Sequence, residues 1–231
     1  MVQMYRDPHA PASGAYAVAW LDRPSAHPLA PRAPAWRHAT AIEWGPERYR
    51  TRFRACWDRE ALHVRFDARD ERPWHTMTRR DEHLWEEEVV ELFLDPAGGG
   101  RYYAEVEISP ANVVCDLCVE APWPSLRAVT AWDWEGLASA VEPMHDSAGR
   151  VEGWTTLARL PLASLGSLSP AARAKVPPSP GDAWGFNVFR IKRPNGPERP
   201  EEGVVYAAWS VPSGPSFHEI EAFRPLVFEG P

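Results

Sequence analysis

The chain has 231 residues and a formal net charge of −7, a length that suits one large β domain or two small domains. The acidic balance argues against nucleic acid as a partner, because phosphate binding requires a basic surface. No apolar run is long enough to span a membrane. The N-terminus lacks a basic start followed by an apolar block, so no signal peptide is visible and a cytoplasmic location is expected.

Proline and tryptophan are both abundant, with 25 and 12 residues. Proline limits helices and favours short strands joined by stiff turns, and tryptophan supplies either a large core or stacking platforms for flat ligands. The three cysteines are too few for a disulfide framework. Cys115 and Cys118 fall in a predicted strand, where residues three apart point to opposite faces, so both are expected to be buried thiols.

Segments of alternating or β-branched residues, bounded by proline and glycine, predict about ten or eleven short strands. In chain order they span residues 15–20, 51–57, 62–68, 85–95, 101–110, 112–119, 137–143, 151–160, 182–191, 204–210 and 223–228. Between them we expect a loose N-terminal arm over 1–14, short helical turns within 36–44 and 161–168, and a flexible excursion over 169–181. Because no βαβ alternation, internal repeat or dividing linker is visible, the sequence predicts an all-β, antiparallel β-sandwich of jelly-roll or immunoglobulin-like type, as a single domain over 1–231.

The stretch 85–110 predicts a hairpin whose two faces differ in chemistry. A turn centred near Gly98 would place Glu91 opposite Glu105 and Phe93 opposite Tyr103. One face is then apolar and expected to be core, with Val90, Leu92, Leu94, Tyr102, Ala104, Val106 and Ile108. The other face carries Val89, Glu91, Phe93, Tyr103, Glu105 and Glu107 and is expected to be solvated or a binding surface. Like charges opposite each other are destabilising, so the two glutamates would need a cation, a proton or a ligand.

Several motifs, in their order along the chain, resemble those of carbohydrate-binding module family 9. They are Cys56-Trp57-Asp58, Leu62 to Phe66, Leu84 to Asp95, Gly185 to Val188, Trp209-Ser210, Phe217 and the stretch from Phe223. The match runs from about residue 15 to the C-terminus, and residues 85–95 are its most specific part. The family fold is a β-sandwich, and its characterised members clamp a sugar between two tryptophans while polar side chains hold the hydroxyls.

The resemblance implies a set of site residues. Trp85 takes the place of the first clamp ring, Phe217 that of the second, and Glu91 matches a sugar-contacting glutamate. Glu105 stands where an arginine is expected and Phe189 near an expected glutamine, which removes a cation and an amide and puts two carboxylates side by side. With Tyr103 on the same face, the candidate ligand-binding residues are Trp85, Glu91, Tyr103, Glu105, Phe189 and Phe217. The expected function is non-catalytic binding of a small saccharide or the end of a glycan.

Other functions stay open at this point. Glu91 and Glu105 could form the acid/base pair of a glycoside hydrolase, because directly paired strand residues allow the separation of about 5–5.5 Å found in retaining enzymes. Related sandwiches in the wider resemblance group hold haem, for which Met77 and Met144 are the candidate axial ligands. The acidity of the chain permits a calcium site built from Asp and Glu oxygens, although no loop of regular spacing places it. The sugar and the oligomeric state are left open.

Overall fold

The computed structural model describes residues 4–6, 14–121 and 123–230, and these form thirteen strands and little helix. The strands are β1 (Tyr16–Trp20), β2 (Ala41–Trp44), β3 (Thr51–Trp57), β4 (Ala61–Arg69), β5 (Val89–Asp95), β6 (Tyr103–Ile108), β7 (Val114–Ala121), β8 (Arg127–Val129), β9 (Ala138–His145), β10 (Val151–Pro161), β11 (Ala183–Lys192), β12 (Val205–Ala208) and β13 (Arg224–Phe228). One short α-helix, α1, spans Pro170–Arg173, and 3-10 turns span Pro34–Arg37, Glu47–Tyr49, Leu84–Glu86, Leu162–Ser167 and Ile220–Ala222. None of the helices in the described ranges is both long and apolar enough to cross a membrane.

The strands form two sheets that share β1. The front sheet has the order β8-β7-β6-β5-β11-β13-β1, and β12 also pairs with β11. The back sheet has the order β1-β3-β4-β10-β9, and β2 also pairs with β3. Residues 16–18 of β1 pair with β13, and residues 19–20 pair with β3, so one strand passes from one sheet to the other. Strands that switch sheets in this way close the corner of a β-sandwich.

Two hydrophobic cores lie on opposite faces of the front sheet. The inner core fills the space between the sheets and includes Val90, Leu92 and Leu94 of β5, as the alternation predicted. The outer core covers the other face of the same strand and contains Val89 and Phe93. Strand β5 is therefore buried on both faces, because loops and the N-terminal residues cover the face that the alternation left open.

The prediction of an all-β sandwich is confirmed, and every segment predicted as a strand contains one. Strands β2 and β8 were not predicted, and both are short edge strands. The predicted antiparallel arrangement holds except at β1, which runs parallel to both β13 and β3. No tight turn links β1 to either neighbour, so no hairpin forces it to be antiparallel. The buried, free state of Cys115 and Cys118 is confirmed, with one thiol in the outer core and the other in the inner core.

Three local predictions need correction or restriction. The stretch 169–181 was expected to be a flexible excursion, yet it begins with α1, whose N-cap Ser169 accepts a hydrogen bond from the backbone N–H of Ala172. Residues 1–3 and 7–13 of the predicted N-terminal arm lie outside the described residues. Met4 is buried and bridges Tyr206 of β12. The single domain over 1–231 stays a prediction.

The hairpin of β5 and β6 forms with a different register from the predicted one. Glu91 lies opposite Glu107, and Phe93 lies opposite Glu105, a slip of two residues. The physical reason is the turn, in which the Asp95 carboxylate accepts hydrogen bonds from Gly98 at 2.9 Å and Gly100 at 2.6 Å and so lengthens the loop. Because side chains repeat every two residues along a strand, this slip keeps each residue of the two strands on its predicted face. Tyr102, predicted to be in the core, precedes β6 and is only half-buried.

Candidate ligand-binding cavity

Three glutamates meet on the outer face of the front sheet. Glu91 projects from the middle of β5, and Glu105 and Glu107 project from alternate positions of β6, on the face that Glu91 shares. One carboxylate oxygen of each lies within 4.8 Å of one oxygen of each of the others. The three side chains are only 2%, 4% and 1% exposed, respectively. We call Glu91, Glu105 and Glu107 the acidic triad.

The acidic triad forms the floor of a cavity of about 390 Å³. Aromatic and aliphatic side chains line its walls, and a few polar groups converge on it. The lining residues are Met4, Trp85, Glu91, Glu105, Glu107, Leu117, Leu126, Ala128, Ile191, Arg193, Tyr206, Pro215, Ser216, Phe217 and His218. A mostly apolar concavity with a small number of polar groups is the usual character of a small-molecule site, and the volume falls in the usual range of about 300–1,000 Å³.

Trp85 stands in one wall of the cavity, but it is not the start of a strand as predicted. It lies in the 3-10 turn Leu84–Glu86, and β5 begins only at Val89. The chain bends here because the Glu87 carboxylate accepts hydrogen bonds from the backbone N–H groups of Thr76 at 2.8 Å and Met77 at 3.3 Å. The bend leaves the indole half-buried rather than sealed in the core.

The backbone and ring of Trp85 are both held in place. Arg193 donates a hydrogen bond to the backbone carbonyl oxygen of Trp85 at 3.1 Å. His83 stacks on the indole at a centroid distance of 4.5 Å and an interplanar angle of 19°. A ring fixed in this way can contact a ligand with little loss of side-chain entropy.

Of the other predicted aromatic residues, one lines the cavity and two lie behind the residues that line it. Phe217 lines the cavity and is 8% exposed. Phe189, directly opposite Glu91 on β11, is fully buried and stacks beneath Phe217 at a centroid distance of 4.3 Å. Tyr103 is also fully buried, and its hydroxyl shares a 2.9 Å hydrogen bond with Nδ1 of His218. Neither Phe189 nor Tyr103 is among the residues that line the cavity.

The acidic triad retains protons at pH values where ordinary glutamates have lost them. Burial, followed by the charge of Glu105, raises the pKa of Glu91 well above its ordinary value. Burial raises the pKa of Glu105 to about 7, although a hydrogen bond with Glu107 opposes the shift. Burial and then the two neighbouring carboxylates raise the pKa of Glu107. Clustered carboxyls in a dry site cannot all ionise, so the triad is partly protonated near neutral pH.

His218 lies beside the acidic triad without neutralising it. Burial lowers the pKa of this imidazole to about 4, so the ring is neutral at pH 7. Its Nδ1 lies 3.9 Å from Oε2 of Glu105, and the ring stacks on Phe93 at a centroid distance of 5.0 Å. A neutral imidazole offers one donor and one acceptor to a ligand or to a neighbouring hydroxyl.

The sequence identified part of this site. It named Trp85, Glu91, Glu105 and Phe217, which the structure brings to one cavity. It placed Glu107 on the same face but gave it no role, although the alternation of Glu105, Val106 and Glu107 already puts the two acids side by side. His218, Tyr206 and Met4 were missed, since no local pattern marks them.

Two cofactor hypotheses can be compared with the geometry. Met77 packs against the outer core of the front sheet. Met144 belongs to β9, the edge strand of the back sheet, so the two methionines do not face a common haem position. For calcium, the acidic triad offers oxygen ligands of the right kind, with one oxygen of each glutamate lacking a hydrogen-bond partner. The calcium hypothesis stays a prediction, with Glu91, Glu105 and Glu107 as the residues that would hold the ion.

Comparison with solved structures identifies relatives of the fold. The putative carbohydrate-binding protein of Bacteroides uniformis matches with a TM-score of 0.71 and 14% identity, covering 94% of this chain and 99% of that one. A family 9 carbohydrate-binding module of Caldicellulosiruptor kristjanssonii in complex with cellotriose matches with a TM-score of 0.66 and 13% identity, covering 94% of both chains. Its complex with glucose matches with a TM-score of 0.66 and 12% identity, covering 94% of this chain and 96% of that one.

No family model and no curated protein matches the chain. The similarity therefore lies in the three-dimensional structure, at identities of 12–14%. It extends over nearly the whole chain and supports the resemblance first seen in the motifs around Trp85 to Asp95. The chain has the β-sandwich fold of the family 9 carbohydrate-binding modules.

Proposed function

We propose that this protein binds a monosaccharide, or the terminal unit of a glycan, in the cavity above the acidic triad. The observation on which the proposal depends is that rings and carboxyls meet in one concavity, with Trp85, Tyr206 and Phe217 among its walls and three glutamates as its floor. Sugars have apolar ring faces and polar edges, and this arrangement offers a surface for each.

The aromatic residues supply contacts for the apolar faces of a pyranose. Phe217 stacks on Phe189, and the indole of Trp85 stacks on His83, so both rings are positioned before the ligand arrives. By analogy with aromatic pairs, each ring contact is worth about 0.5–1.5 kcal/mol beyond the area that it buries. Preorganisation means that little of this free energy is spent on ordering side chains.

The acidic triad supplies hydrogen-bonding groups for the sugar hydroxyls. A partly protonated carboxyl cluster contains both acceptors and donors, and a hydroxyl can act as either. Hydrogen bonds to an ionised carboxylate are about twice as strong as those between neutral groups. The structural relatives lend support, since one was solved with cellotriose and with glucose.

The direct experiment is calorimetric titration with glucose, galactose, mannose, xylose and cellobiose, together with the corresponding amino sugar of glucose. We expect saturable heat with at least one of them, and binding about three- to tenfold weaker in Trp85→Ala because one ring contact is lost. Trp132→Ala is the matched control, since Trp132 is equally half-buried but packs against the inner core, away from the cavity. The absence of heat with every sugar, or equal affinity in both variants and the wild type, would reject the proposal.

The hydrolase alternative has its own test, because it requires turnover rather than binding. The structure pairs Glu91 with Glu107 across the strands rather than with Glu105. Burial raises the pKa of all three carboxyls, and repulsion from neighbouring carboxylates adds to the shift of Glu91 and Glu107. A retaining mechanism needs one of them ionised as the nucleophile. Release of the chromophore from aryl glycosides by the wild type, and its loss in Glu91→Gln, would favour catalysis over simple binding.

A further inference from the structure

One carboxylate oxygen of each glutamate in the acidic triad lacks a hydrogen-bond partner in the described part of the chain. Oε1 of Glu91, Oε2 of Glu105 and Oε2 of Glu107 are buried and accept no hydrogen bond from any described residue. All three side chains line the cavity. Leaving a buried polar group without a partner costs about 1–3 kcal/mol, and more if it is charged. Three such groups at one position mark a place where a ligand supplies the missing donors.

The residues around the cavity do not provide a free positive charge. Of the described lining residues, only Arg193 and His218 can carry one. The guanidinium of Arg193 is committed to other acceptors, namely the carbonyls of Trp85, Glu87 and Pro200 and the carboxylate of Glu201. His218 is held as a neutral ring between Tyr103 and Phe93. The cavity therefore combines three acids with no available internal cation among the described residues.

We propose that the saccharide bound here carries a protonated amino group, which lies among Glu91, Glu105 and Glu107. This inference rests on the proposed function and narrows its ligand to amino sugars with a free amine. An alkylammonium group has three N–H donors and no acceptor, which matches three carboxylates that each have an oxygen without a partner. The aromatic walls add to the attraction, since the faces of Trp, Tyr and Phe rings attract cations.

The size and lining of the cavity favour an organic cation over a bare metal ion. A divalent metal would need only the acidic triad, whereas the cavity has about 390 Å³ and rings in its walls. An amino sugar uses both parts of the site, because its amine meets the acids while its ring lies between aromatic side chains. Metal binding is nevertheless a distinct outcome of the experiment below.

The experiment is calorimetric titration of protein freed of metal with EDTA, near pH 7, using glucosamine, glucose and N-acetylglucosamine. These ligands share a ring, and only glucosamine is cationic. We expect glucosamine to bind about ten- to a hundredfold more tightly than either neutral sugar, the range expected of a hydrogen bond to a charged group. Titration in buffers of different ionisation enthalpy should also show proton release with glucosamine only, because the amine displaces protons from the triad.

Each alternative result has a separate meaning. If a neutral sugar binds as tightly as glucosamine, the inference is wrong while the proposed function stands. If no sugar binds at all, the proposed function fails and the inference fails with it. If CaCl₂, MgCl₂ or MnCl₂ alone gives saturable heat and glucosamine shows no preference over glucose, the triad is a metal site and the inference is overturned.

Variants locate the amine within the cavity. In Glu91→Gln the ratio of glucosamine affinity to glucose affinity should fall by about tenfold, because one acceptor becomes an amide with its own donors. Glu142→Gln makes the same change at an exposed position of β9 in the back sheet, and its ratio should equal that of the wild type. An unchanged ratio in Glu91→Gln would contradict the inference. If that variant fails to fold, the proton release of the wild type still decides between the outcomes.

Discussion

Two groups of buried charges lie on opposite faces of the front sheet, and they are built in opposite ways. Between the sheets, Asp70 and Glu88 meet Arg190 and Lys192, two acids with two bases. Arg190 contacts Asp70 at 2.7 Å, and Lys192 contacts Asp70 at 2.9 Å and Glu88 at 2.6 Å. We call these four residues the paired cluster. On the outer face, the acidic triad has three acids and no committed base among the described residues.

The difference shows what each group is suited to do. Charges buried with partners fix a geometry, and removing one partner strands the other in a medium that solvates it poorly. Acids buried without partners raise the free energy of the protein without ligand. A ligand that supplies hydrogen-bond donors or positive charge removes this cost when it binds. We therefore assign the paired cluster to the architecture, and the contrast supports the proposal that the acidic triad belongs to a binding site.

The largest expected effect is the loss of the cation from the paired cluster. Lys192→Met leaves Asp70 and Glu88 with less compensation, and we expect the free energy of unfolding to fall by about 3–5 kcal/mol in urea denaturation. Lys175→Met is the matched control at an exposed position and should change it by less than about 0.5 kcal/mol. A loss of less than about 1 kcal/mol in Lys192→Met would show that the cluster is not a structural ion-pair network.

A substitution in the acidic triad should have the opposite sign. Glu91→Gln keeps the shape of the side chain and replaces a carboxyl that is costly to ionise with a group that stays neutral, so we expect the free energy of unfolding to rise by about 1–2 kcal/mol without ligand at pH 7. Glu142→Gln, exposed on β9, should leave stability nearly unchanged. If Glu91→Gln instead lowers the free energy of unfolding, the Glu91 carboxyl makes stabilising contacts in the empty protein. The contrast between the acidic triad and the paired cluster would then be wrong.

The stability of the wild type should fall as the pH rises from 7 to 8. Burial and Asp70 raise the pKa of Glu88 to about 8 despite its contact with Lys192, and burial raises that of Glu105 to about 7. In the unfolded chain both groups are already ionised near pH 4.5, so the folded protein holds more protons, and linkage makes stability fall with pH. We expect the free energy of unfolding to fall by about 1 kcal/mol between pH 7 and pH 8. Each proton that only the folded state holds can lower it by at most about 1.4 kcal/mol per pH unit.

Between pH 7 and pH 8, the titration of His218 has little influence on the free energy of unfolding. Its pKa is lowered on folding, so its contribution to stability increases with pH, but mostly below about pH 6.5. The slope, measured by denaturation at several pH values, should be clearly reduced in Glu88→Gln, whatever the absolute stability of that variant. Stability that is level or rising between pH 7 and 8 would contradict the proposed protonation of both clusters.

The smallest expected effect concerns the support of the acidic triad. Tyr103→Phe removes the hydroxyl that shares a hydrogen bond with His218, and we expect a loss of about 0.5–1.5 kcal/mol in the free energy of unfolding. Tyr102→Phe is a suitable control, since it makes the same change at the neighbouring, half-buried position before β6. Equal effects of the two substitutions would mean that the contact between Tyr103 and His218 adds nothing to stability.

The face of each residue in β5 and β6 could be predicted from alternation alone. Val90, Leu92 and Leu94 are in the inner core, and Glu91 shares the outer face with Phe93, as expected. The register could not be predicted, because it depends on how the Asp95 carboxylate caps the turn at Gly98 and Gly100. The same limit applies to Trp85, whose 3-10 turn depends on contacts of Glu87 with a loop ten residues earlier.

The burial of the acidic triad is the feature that sequence patterns could not reveal. Alternation places Glu91 and Glu105 on one face, but whether that face meets water depends on what covers it. The cover comes from distant segments, including Phe217 and His218 after β12 and Met4 near the N-terminus. No periodic signal connects these residues to β5, so the sequence could place some of the cavity-lining residues on one face but could not determine their environment.

The position of Met4 has a practical consequence for anyone handling this protein. Its side chain forms part of the cavity wall, and the adjoining N–H of Tyr5 donates to the carbonyl of Tyr206 at 2.7 Å. A purification tag or fluorescent fusion joined just before Met4 would lie next to that wall. Glu229 and Gly230 are exposed and take no part in the wall, so a fusion joined after them is the better choice for assays of affinity.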